Sequence, residues 1–135
     1  MPQPKILTTE LVRQNRARRH LLGRMVEARQ RLSAPGGQKA QKVITGAITQ
    51  MQALMRANQR TLAELGGMSP EPVSDAVLLN ALQRGDDNPL KIAFHLLTLD
   101  GLDRVRGPEI GLINQCRQAC RGACIKAEIG DPLAA

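Results

Sequence analysis

Eight prolines limit what this chain can fold into, because none of them falls inside an apolar period. A proline in a helix interior removes a hydrogen bond and clashes with the preceding turn, whereas one at the first helical position is tolerated. Pro2 and Pro4 precede the first periodic segment, and Pro35 with Gly36 and Gly37 parts it from the next. Gly66, Gly67, Pro70 and Pro72 close the second segment. Asn88-Pro89 and Gly107-Pro108 read as helix starts, and Pro132 ends the last helix. The punctuation predicts five helices, at roughly 8–33, 38–65, 73–84, 89–105 and 108–129.

The residues between those breaks favour the same answer. Phe94 is the only aromatic, so the core is built from Leu, Ile, Val, Met and Ala. The chain is rich in helix formers and has no β-branched or aromatic run of strand length. At 135 residues it can bury a core without metal or disulfide staples. The fold class is therefore all-α: a long antiparallel helical hairpin joined by the Pro-Gly-Gly turn, followed by a compact cluster of three shorter helices. The corresponding division is a basic hairpin over 1–66 and a C-terminal cluster over 67–135, together one folding unit.

The second helix carries the clearest pattern. At about 100° per residue, Ile44, Ala47, Ile48, Met51, Met55, Asn58, Leu62 and Leu65 share one stripe. Asn58 either fixes register in that stripe or lies at its edge and reaches water. Apolar surface left over on this helix would meet the C-terminal helices or a second copy of the chain. The second alternative is a homodimer through helix 38–65. The first helix aligns Leu11, Leu22, Met25 and Leu32, with Leu21 and Ala28 at its flank and Arg18 and Arg29 intruding. Thr8 or Thr9 is its expected cap. Helix four is apolar nearly all round, from Leu90 to Leu102 and Val105, and is expected to be the buried centre of the cluster.

Charge is divided unequally. Residues 1–60 hold twelve Lys/Arg against two acids, a net of +10, and residues 61–135 hold seven against ten, a net of −3. Such asymmetry points to nucleic acid or another anionic partner. Arg13, Arg16, His20, Arg24 and Arg31 gather on one face of helix one, and Lys42, Arg56 and Arg60 lie on helix two opposite its apolar stripe. Guanidinium groups bind phosphate through paired, charge-assisted hydrogen bonds. Readers of single strands and RNA loops stack bases on aromatic rings, which this chain lacks. The expected contacts are therefore Arg13, Arg16, Arg24, Arg31, Lys42, Arg56 and Arg60 on a duplex backbone, with DNA favoured over RNA. Gln14, Asn15 and Gln30 are of a type that reads base edges. The competing class is an adaptor or inhibitor whose basic hairpin docks on an acidic protein.

Cys116, Cys120 and Cys124 follow one another at i, i+4, i+8 along an apolar, small-residue face. Free cysteine on such a face behaves as a small hydrophobe. The alternatives are a redox role and a metal site, and the second needs a fourth ligand that the spacing does not supply. His95 reads as a core histidine rather than a base. No phosphate loop, nucleophile elbow or helical zinc motif occurs, so the chain is expected to be non-enzymatic and without cofactor. No run nears the ~18 apolar residues of a membrane span, and the N-terminus has no leader-like apolar core. The sequence thus reads as a cytoplasmic, bacterial or phage-type accessory protein that binds nucleic acid.

Overall fold

The computed structural model describes residues 4–61, 70–98 and 107–133, with the side chains of 4–8, 60 and 61 outside the description. Five helices and no strand occur among the described residues. They are α1 (Pro4–Arg31), α2 (Gln38–Thr61), α3 (Asp75–Gly85), α4 (Pro89–Leu96) and α5 (Pro108–Lys126).

Local chemistry explains the ends. Pro35 and Gly36 turn the chain between α1 and α2, with Gly36 at φ 89°, a left-handed conformation that favours glycine. Ser74 caps α3 by accepting from the Val77 amide, and Asn88 caps α4 by accepting from the Leu90 amide. Asp86 and Asp87 both take left-handed φ, at 49° and 61°, in the tight turn between those helices.

Two expected boundaries are corrected. Helix one starts at Pro4, not near residue 8, so Thr9 lies within it rather than capping it. Helix four stops at Leu96 instead of 105. There the Leu97 amide donates to the Phe94 carbonyl and the Thr98 amide to the His95 carbonyl, a three-residue spacing that tightens the last turn. The Thr98 hydroxyl also donates to the Phe94 carbonyl, holding the turn closed. Leu99, Leu102 and Val105, like Leu62 and Leu65 of the expected α2 stripe, lie outside the described residues.

One core cluster draws on all five helices. α2 packs against α1 and α5, and α4 packs against α1, α3 and α5. Ile44, Ala47, Ile48, Met51 and Met55 are each 4% exposed or less. The part of the stripe from Ile44 to Met55 is thus buried within the chain. Hydrogen bonds order the first pair: Gln41 Nε2 donates to the Arg29 carbonyl at one end, and Asn15 Nδ2 to the Met55 carbonyl at the other. α1 and α2 therefore run in opposite directions.

Polar groups also hold that second end. Asn15 is fully buried, and Asn58 Nδ2 donates to both Asn15 Oδ1 and Gln14 Oε1 at 3.1 Å. Asn58 accordingly settles α1 against α2 within one chain. Beside it, Arg18 Nε donates to Glu109 Oε1 in a buried ion pair, and Arg18 NH1 donates to the Leu54 carbonyl at 3.2 Å. This guanidinium ties α1, α2 and the first turn of α5 together.

Between α2 and α3 the chain passes over α1. The Glu71 amide donates to the Arg19 carbonyl at 3.2 Å. A Cβ on Gly23 would sit 1.8 Å from the Glu71 carbonyl oxygen, so only glycine allows this crossing.

Candidate nucleic-acid interface

The expected cations are not equivalent once α1 is packed. Its arginines recur at three- and four-residue spacing, which puts them on one side of the helix but does not say what covers that side. Arg13 and Arg16 are exposed. Arg13 lies 3.8 Å from Glu10 with 75% of its side chain in solvent. His20, the next residue of the stripe, has its Nδ1 3.6 Å from Glu71 Oε2. Arg24 is half-buried in a cleft of about 60 Å³ with Asn80, Arg84, His95 and Thr98. Arg31 is half-buried, 3.3 Å from Glu27, and its Nε is buried without an acceptor. The arginine face is therefore interrupted, by Glu71 beside His20 and by the cleft that takes Arg24 against α3 residues.

On α2, Lys42 and Arg56 are both exposed, and the side chain of Arg60 is outside the described residues. Arg56 neighbours Met55, which pairs with Asn15, so Arg13, Arg16 and Arg56 occupy the same end of the α1–α2 pair. Lys42 lies fourteen residues from Arg56, roughly 21 Å along the helix axis at 1.5 Å per residue. There it has companions that sequence reasoning missed. Lys39 and Lys126 line a groove of about 430 Å³ between the start of α2 and the end of α5. No pattern within either helix pairs these two lysines, because only tertiary packing brings them together. The surface thus carries two basic ends, Arg13/Arg16/Arg56 and Lys39/Lys42/Lys126.

Among the other side chains singled out, only the base-edge reading of Asn15 is corrected. Asn15 is fully buried and engaged with Met55 and Asn58, so it cannot reach a base edge. Arg18 is committed to Glu109 within the fold. Cys116, Cys120 and Cys124 are free thiols with no exposed surface. Burial pushes the Cys116 thiol up to about 12 and raises Cys120 and Cys124 as well. A thiol suppressed as thiolate and sealed from solvent has neither the charge nor the access that a redox sensor needs. Among the described residues no group of three or more His, Cys, Asp or Glu is placed to hold a metal ion.

His95 stacks edge-on against Phe94, with ring centroids 5.4 Å apart, and the Arg117 guanidinium lies 5.2 Å from the same phenyl ring. Desolvation, then the charge of Arg84, holds the imidazole below its ordinary value, although its hydrogen bond to the Arg84 backbone acts the other way.

Comparison with protein-family models, with curated proteins and with solved structures gives no match. No described helix is long and apolar enough to cross a membrane. The exposed cations are guanidinium and ammonium groups on helix surfaces, suited to phosphate oxygens, and the half-buried arginines are suited to holding the fold.

Proposed function

We propose that this chain is a non-enzymatic helical protein that binds the backbone of a nucleic-acid duplex, with DNA favoured over RNA. The observation that carries the reading is the pair of exposed basic ends along α1 and α2, Arg13/Arg16/Arg56 and Lys39/Lys42/Lys126. In this reading the α1–α2 hairpin is the contact element and α3 to α5 support it. Arg24 and Arg31 contribute field rather than direct contact.

Backbone binding releases condensed counterions, so affinity falls linearly with salt on a log-log plot, by about 0.9 per phosphate for duplex DNA. Six cations set an upper slope of roughly −5. The test is binding of labelled duplex DNA, single-stranded DNA and structured RNA across a salt series. Duplex binding with a slope of about −3 to −5 is expected, and Arg13→Ala with Arg16→Ala should flatten it by about two. Absence of binding to all three at low salt would overturn the reading. The basic ends would then be assigned to an acidic protein partner.

A further inference from the structure

The crossing over α1 is built to hold one acid on the basic side of that helix. Pro72 confines the residue before it to extended backbone, which fixes the conformation of Glu71. Its amide is bonded to the Arg19 carbonyl and its own carbonyl sits against Gly23, so the segment lies on the helix backbone itself. From there the Glu71 carboxylate reaches His20, in the middle of a row that runs Arg13, Arg16, His20, Arg24. Glu10 and Glu27 each pair with an arginine one turn away on α1, as acids on any exposed helix do. Glu71 differs because a separate segment delivers it.

We propose that Glu71 is an autoinhibitory contact: its carboxylate occupies, beside His20, the position that a phosphate of the bound duplex would otherwise take. This inference rests on the duplex-binding reading of the same face. Glu71 limits affinity at the centre of the row, so the chain binds through its two ends and releases readily. Side chains of His20 and Glu71 are each about half exposed, at 48% and 45%, so the contact can open without disturbing the core.

The experiment compares the full chain with Glu71→Gln and with Asp87→Asn, the latter an exposed acid in the turn between α3 and α4. Both variants remove one negative charge. Affinity for a labelled DNA duplex is measured at low salt, with circular dichroism confirming the fold of each. Glu71→Gln should bind about two- to fivefold more tightly than the natural chain, a gain typical of one exposed charge pair, while Asp87→Asn should change affinity far less. Equal gains in the two variants, or none in Glu71→Gln, would overturn the autoinhibitory role while leaving duplex binding intact. Failure of all three proteins to bind would overturn the duplex reading and this inference with it.

Discussion

Removing either member of the Arg18–Glu109 pair should cost far more than removing any surface charge. Their side chains are only 10% and 6% exposed. Glu109→Leu leaves the guanidinium with the Leu54 carbonyl and no counter-charge at its Nε. Breaking a buried pair by deleting one partner costs about 3–5 kcal/mol, chiefly because the survivor stays desolvated. A chain of 135 residues has a total stability of roughly 7–20 kcal/mol at ~0.05–0.15 kcal/mol per residue. Its unfolding entropy, at ~2.1 cal/mol/K per residue, converts that loss to a fall in Tm of about 10–18 °C. The double variant Arg18→Met/Glu109→Leu replaces both charges with apolar groups and should return to within about 1 kcal/mol of the natural chain. Urea denaturation followed by far-ultraviolet circular dichroism is the assay, since the chain has no Trp or Tyr to report by fluorescence. Single variants costing under about 1 kcal/mol, the range of an exposed pair, would refute the argument. A double variant costing the sum of the singles would refute it equally.

Other substitutions read other contacts. Gly23→Ala should destabilise by about 1–3 kcal/mol, despite alanine's better helix propensity, because its Cβ would collide with the Glu71 carbonyl; a rise in Tm would refute the crossing. Gly46→Ala and Gly122→Ala meet nothing within 4 Å, so each should stabilise by about 0.5–1 kcal/mol in the same assay. His95 has a folded-state pKa below its ordinary 6.5, so the unfolded chain takes up that proton first. Its contribution to stability is therefore whole above about pH 6.5 and declines as pH falls below it, and His95→Gln should flatten urea midpoints across that window. Iodoacetamide should label the three thiols only as fast as the chain opens, whereas rapid labelling without denaturant would contradict their burial.

Prolines and glycines made the order of the helices readable, because their effect is local and fixed by backbone chemistry. The stripe of α2 was readable for the same reason: Ile44, Ala47, Ile48, Met51 and Met55 repeat at the helical period and are buried as a set. Arg18 was visible as an intruder in the stripe of α1, but its explanation lies 91 residues away in Glu109, beyond any periodic signal. Asn15 looked like a surface amide because helical period alone could not tell a polar seam from a wet face. The arginine row of α1 was counted correctly, yet what covers its middle depends on Gly23 admitting Glu71. Helix four was drawn too long because apolar residues continue past Leu96, where the Thr98 hydroxyl bond and three-residue amide spacing end it. The Lys39–Lys126 groove had no sequence signal at all.

The sharing of α2 between two partners also sets a schedule for synthesis. α1 is made before α2 and can cover one side of its apolar stripe as soon as both emerge. The other side belongs to α5, whose first residue, Pro108, follows Thr61 by 47 positions. At ~5–20 residues per second, a ribosome needs about 3–13 s to make the 65 residues that follow Thr61 up to Lys126 and supply that cover. For that interval the nascent chain presents a half-clothed row of isoleucine and methionine beside its most basic segment. It is then at its most sticky to chaperones, and it sheds that liability only when α5 arrives.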